Sequence, residues 1–123
     1  MASLMRVAPE LPVTDMNEAL QHYKRQLGFD IVMTMPQGGY ATVERDGVAL
    51  HLYAEHARLH SPASIHIFAS GLDELMSELQ RRGARFTRGI ERHPWGNRDF
   101  RVVDPSGNHI KFTEPIAAED ETA

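Results

Sequence analysis

The 123-residue sequence contains no cysteine. Disulfides, thiolate nucleophiles and Cys-ligated zinc are excluded together, and the composition suits a reducing compartment. No apolar run approaches the roughly 18 residues of a membrane span, and Met1 to Met5 are too short and too polar for a signal-peptide core. A cytoplasmic protein is therefore expected, with no membrane partner. Basic residues are not in excess: 13 Lys plus Arg against 17 Asp plus Glu leave a formal charge of −4. They are scattered rather than striped, which argues against nucleic acid as a partner. There is no Gly-x-Ser-x-Gly elbow, no phosphate-binding glycine loop and no His-Glu-x-x-His. Hydrolase and nucleotide-enzyme chemistry has no residues to carry it. Aromatics make up only 7% of the chain, and Trp95 is its single tryptophan.

What is present, 41% hydrophobic and 24% charged residues, matches one globular domain over residues 1–123. The chain reads twice. An extended run from Arg6 to Leu11 precedes Thr14 or Asp15 as a helix N-cap, with Glu18 placed to complete a capping box. Met16, Ala19, Leu20, Tyr23 and Leu27 then recur at helical spacing, and Gly28 stops the helix. Three extended runs follow, Ile31 to Met35, Tyr40 to Glu44 and Val48 to Tyr53, the last two joined by the hairpin signal Asp46-Gly47. The second half repeats the order. It has an extended run Ser64 to Ala69, a helix from Leu72 to Arg82 ended by Gly83, and a run Arg85 to Arg88. A loop through His93-Pro94-Trp95-Gly96, a run Arg98 to Val103, the turn Asp104-Pro105-Ser106-Gly107 and a run His109 to Thr113 complete it. The fold class predicted is α+β: two tandem βαβββ modules over residues 6–54 and 64–114. Residues 55–63 read as a linker, and residues 116–123 as an acidic flexible tail.

Period-two alternation sorts the strand side chains. Val48, Leu50 and Leu52 face a helix, and Ala49, His51 and Tyr53 face away. Ile65 and Ile67 go inside, with Ser64, His66 and Phe68 opposite. Ile110 and Phe112 go inside, leaving His109, Lys111 and Thr113 opposite. Each sheet thus has one apolar face and one mixed face, and a mixed concave face is what a small-molecule site needs. The solvated side of an antiparallel sheet gives the same pattern without any ligand. His22 falls on the polar side of the first helix, and His56 and His60 fall in the linker.

The Leu27-Gly28-Phe29 helix ending, the stretch Pro94-Trp95-Gly96-Asn97-Arg98-Asp99-Phe100 and the turn Asp104-Pro105-Ser106-Gly107-Asn108 resemble the vicinal oxygen chelate superfamily. Within it the chain is most similar to bleomycin-resistance proteins, over about Arg6 to Glu114. The resemblance implies two βαβββ modules whose mixed sheets curve around cups, in a homodimer with the cups at or near the subunit interface. In the metalloenzymes of the superfamily, such as glyoxalase I and the extradiol dioxygenases, His and Glu side chains hold a divalent ion. Carried onto this sequence, those positions fall on Ala8, His51, Ser64 and Lys111. An ammonium replaces a carboxylate, a poor exchange for a cation site.

The resemblance therefore implies a non-catalytic protein that binds and sequesters a small molecule, a bleomycin-type antibiotic or a related aromatic ligand, without cofactor or metal. His51, Tyr53, His66, Phe68, Trp95, Arg98, Phe100 and Lys111 would line the site. Lys111 with Arg98 in one cup would disfavour a cationic drug and favour a neutral or anionic one. Phe100 has a competing place in the core, Trp95 a competing role as a loop plug, and Arg98 a competing surface pairing with Asp99 or Glu91. The alternative is a metal-dependent glyoxalase-like lyase, isomerase or dioxygenase. Its ion would sit near His51 and His66, with Glu10 or Glu44 as a further ligand or a base.

Overall fold

A computed structural model describes residues 1–115. The chain runs β1 (Glu10–Val13), α1 (Met16–Gln21), β2 (Asp30–Thr34), β3 (Tyr40–Arg45) and β4 (Val48–Ala54). It continues as β5 (Ser64–Phe68), α2 (Leu72–Arg81), β6 (Phe86–His93), β7 (Asn97–Val103) and β8 (His109–Pro115). These form two four-stranded mixed sheets, ordered β1-β4-β3-β2 and β5-β8-β7-β6. In each, the first strand lies parallel to the last and the remaining neighbours are antiparallel. The architecture is the tandem βαβββ repeat that the sequence predicts.

Local chemistry explains the elements and their departures from expectation. Asp15, not Thr14, caps α1, accepting from the Glu18 amide at 3.0 Å, a contact that stabilises a helix by about 1 kcal/mol. Beyond Gln21 the helix widens into a π-helical turn over His22–Gln26. That turn buries both His22 and Tyr23, so His22 is interior rather than on a polar face. Its Nδ1 meets Gln26 Oε1 at 2.5 Å, and burial lowers its pKa. The first strand begins at Glu10, not Arg6, and Leu4, Met5 and Val7 are exposed. β6 extends to His93, where a loop was expected, because register shifts between Phe86 and Glu91 absorb Gly89 and Ile90. Those bulges break the alternation by which a strand is read from sequence. Residues 55–63 hold a short 3-10 turn, Ala57–Leu59, and the expected acidic tail lies outside the described residues.

One core serves both modules. Leu11, Tyr23, Leu50 and Leu52 from the first and Ile67, Leu79, Phe100, Ile110 and Phe112 from the second belong to a single buried cluster. Each β-hairpin turn also reaches the other module's helix. Arg45 donates to Glu78 on α2 at 2.7 and 2.9 Å and to the Leu27 carbonyl at 2.8 Å. This approach explains Gly28: at φ +75 a Cβ there would stand 2.7 Å from Arg45 Nη1. Reciprocally, buried Asp104 accepts from the Tyr23 hydroxyl at 2.7 Å. It also takes the Ser106 and Asn108 amides and the Asn108 side chain, each at 2.9 Å. Asn108 Nδ2 bonds the Pro12 carbonyl at 2.7 Å, so the Asp-Pro-Ser-Gly-Asn turn fastens one module to the other.

Candidate functional site

Because both sheets give one face to the same core, their other faces lie outside it, and strand register specifies what each carries. On the first sheet Glu10 lies opposite His51, His51 opposite Thr42, and Thr42 opposite Met33. The corresponding row of the second sheet is His66, Lys111, Arg101 and Arg88. Acid, imidazole, hydroxyl and thioether in one module stand where imidazole, ammonium and two guanidiniums stand in the other.

The first face is acidic. Its outward strand positions carry Glu10, Asp30 and Glu44 and, among the described residues, no Lys or Arg. The Tyr40 hydroxyl donates to Glu10 Oε2 at 2.6 Å and lies 2.7 Å from His51 Nδ1. With its one proton given to Glu10, the phenol accepts from His51 Nδ1–H. The hydrogen bond to Glu10 raises the Tyr40 pKa, helped by lost hydration and by the carboxylate's charge. Tyr53 sits directly opposite Tyr40.

The second face is organised around Asp99, whose side chain is 2% exposed. Arg88 bonds one carboxylate oxygen, His93 Nε2 lies 3.0 Å from the other, and Lys111 Nζ reaches only 4.0 Å. Burial, the largest single influence, pushes this carboxyl up, but hydrogen bonds and charge from Arg88 and His93 outweigh it and hold the pKa below its ordinary value. His66 is pulled below its ordinary pKa by lost hydration first and then by Lys111 and Arg101, against the opposing charge of Asp99. Phe68, 64% exposed, packs edge-on to His66 with centroids 5.6 Å apart. Trp95 lies on the turn between β6 and β7, 70% exposed, and stacks face to face on His93 at 4.3 Å and 7°.

The residues expected to line a site thus divide. His51 and Tyr53 lie on the first outer face, His66, Phe68 and Lys111 on the second, and Trp95 at the second sheet's end. Phe100 is fully buried between Phe86 and Phe112 and is a core residue. Arg98 shares its parity on β7 and faces the helix side. There Nη2 bonds Glu114 at 2.7 Å and Asp73 at 2.9 Å, while Glu114 accepts the Gly71 and Leu72 amides at the start of α2. Arg98 fastens a helix to its sheet, and the partner expected in Asp99 or Glu91 is replaced by these two acids. Asp99, Arg101, Arg88, His93 and Tyr40 belong to the outer faces and escaped the sequence reading. For the β7 pair the signal was there: with Phe100 and Val102 inward, Asp99 and Arg101 must point outward.

Donor geometry decides whether a divalent ion fits. Glu10 and His51 are both engaged by Tyr40, His66 lies on the other sheet, and His51's counterpart is a lysine. Among the described residues no group of three or more His, Asp or Glu could hold a metal. Within one chain the donor set does not fit the ion that the metalloenzyme alternative requires. A groove between α2 and the β3–β4 turn is floored by Phe29, Ile67 and Phe112, reaches Phe68 at one edge and is rimmed by Arg45 and Glu78. Of its rim charges, Arg45 and Glu78 are paired with each other.

Paired βαβββ modules with one core and two outward faces define the scaffold class. The chain belongs to the glyoxalase superfamily: the family described as glyoxalase superfamily protein matches residues 2–119. Bleomycin resistance proteins of Geobacillus stearothermophilus and Staphylococcus aureus are 26% identical over 132 residues, spanning 92% of this chain and 98% of theirs. The solved bleomycin-binding protein of bleomycin-producing Streptomyces verticillus, complexed with copper(II)-bleomycin, superposes with a TM-score of 0.80 at 25% identity. The match covers 93% of this chain and 98% of that one. TioX from Micromonospora sp. ML1 superposes at 0.79 with 22% identity, over 91% and 99% of the two chains, a likeness of fold alone. No helix among the described residues is long and apolar enough to cross a membrane.

Proposed function

We propose that this chain binds and sequesters a small aromatic molecule, of the bleomycin type or related to it, without altering it chemically. One observation carries the reading: the Trp95 ring is held flat on His93 yet 70% exposed, which leaves a π-face open for stacking. Phe68 and Tyr53 add aromatic surface, with His51, His66 and Lys111 as hydrogen-bonding groups. The family membership and the bleomycin-named relatives support the same reading.

The working unit is a cytoplasmic homodimer. Val32 and Met35, 52% and 51% exposed at the edge of the first sheet, leave apolar surface for a partner. The protein should elute as a dimer at micromolar concentration, and a monomer would overturn this part of the reading.

The direct test is titration with metal-free bleomycin and a panel of aromatic compounds, followed by mass spectrometry of the recovered ligand. Saturable quenching of Trp95 at one ligand per chain, with the ligand recovered unchanged, is expected. Conversion of the ligand, or no saturable binding by any compound, would contradict sequestration.

A further inference from the structure

We infer that the outer face of the second sheet recognises the carboxylate of an aromatic acid, held between Arg101 and Lys111 with its ring against Phe68 and His66. The inference rests on the small-molecule-binding reading and names the ligand class for one face.

Arg101 and Lys111 are direct cross-strand partners, and like charges so placed repel. A third cation, Arg88, is the next member of the row. Arg88 is neutralised by Asp99 and Glu91, Lys111 has only a long ion pair with Asp99, and Arg101 has none among the described residues. The Asp99 oxygens are taken by Arg88 and His93, and Lys111 stands 4.0 Å away. Arg101 has no carboxylate partner among the described residues, and its buried Nε is unpaired there. On the same face Thr113 is fully buried between Phe68 and Asp99 in register, and its hydroxyl also has no partner among the described residues. The neighbouring His66 carries no negative charge to offset the pair.

An anion satisfies this arrangement. A guanidinium beside an ammonium accepts a planar carboxylate through charge-assisted bonds. Phe68 lies one strand repeat along from the Lys111 row, about 7 Å, which is the reach of an aryl ring attached to that carboxylate. A polyanion is disfavoured by Asp99, Glu91 and the chain's formal charge of −4. A cationic aromatic would meet Arg101 and Lys111 at close range.

Isothermal titration calorimetry with 2-naphthoate, 2-naphthamide and 2-naphthylmethylammonium tests the assignment on the full chain. Binding of the carboxylate at least tenfold tighter than the amide, and no detectable binding of the ammonium, is expected. Arg101→Gln should reduce the carboxylate-to-amide preference at least fivefold without lowering Tm. Lys111→Gln, at a partly exposed site, should reduce it about threefold, and serves if the first variant folds poorly. Equal binding of carboxylate and amide, preference for the ammonium, or an unchanged preference in both variants would overturn the inference. Bleomycin binding without carboxylate preference would leave sequestration standing and remove only the charge assignment. Absence of binding by bleomycin and all three probes would remove both.

Discussion

The row Glu10, His51, Thr42, Met33 and the row His66, Lys111, Arg101, Arg88 occupy the same places in two copies of one supersecondary unit. Not one position keeps its residue type. The inward positions behave differently: Leu50 and Leu52 in one copy and Ile110 and Phe112 in the other are all apolar and buried in the shared cluster. Packing against a common core restricts what can stand there, since a polar substitute would lose its hydration with nothing in return. Outside the core a side chain is free to differ, and the repeat presents one acidic and one basic face on a single scaffold.

The inside–outside contrast breaks most readily at two phenylalanines. Phe100→Ala, in the core, should cost about 3–5 kcal/mol of unfolding free energy, whereas Phe68→Ala should change it by no more than about 0.5 kcal/mol. Urea denaturation of the pair checks this, and equal losses would mean that Phe68 packs as Phe100 does. The reciprocal ties between modules differ in the same sense. Asp104→Ala strands the Tyr23 hydroxyl and several amides and should cost about 3 kcal/mol. Arg45→Ala, removing a partly exposed pair with Glu78, should cost about 1 kcal/mol.

Tyr40→Phe is a smaller change that separates the two outer faces. It should leave Tm nearly unchanged and move the His51 imidazole resonances in NMR spectra, through loss of the Tyr40 hydroxyl contact, while those of His66 stay in place. Movement of both would mean that the faces are coupled. The pH dependence of stability should show the two classes of group in turn. His22 and His66, with folded pKa values depressed, favour the native state above their unfolded value of 6.5, and that contribution declines as pH falls below it. Glu78, Glu114 and Asp99, also depressed, favour the native state above the ordinary carboxylate range, about pH 4, and their contribution is lost below it. Thermal melts from pH 8 to 3 should fall in these two stages, and a flat profile down to pH 5 would contradict the first.

Much of the scaffold was legible because helix spacing, Asp-Gly and Asp-Pro turns and strand alternation are local signals. Asp15 and Glu18 announced the first cap, and alternation placed His51, Tyr53, His66, Phe68 and Lys111 on outward faces. Two kinds of feature were not legible. The π-helical turn that buries His22 and the bulges that lengthen β6 each interrupt the period from which a reading is made. The partners of Arg98 come from α2 and β8, 25 and 16 residues away, and no spacing rule connects them. Arg98 and Phe100 were drawn into the site by a motif, although their parity on β7 turns them toward the core. The parity that removes them supplies Asp99 and Arg101 instead.

The central claim is that the second outer face, and not the first, takes the ligand's anionic end. Amide and indole chemical-shift mapping of ¹⁵N-labelled protein with 2-naphthoate tests it most directly. Perturbations centred on Phe68, Arg101, Lys111 and Thr113 that saturate together are predicted. Perturbations centred on Tyr40, His51 and Tyr53, or none at millimolar ligand, would contradict it.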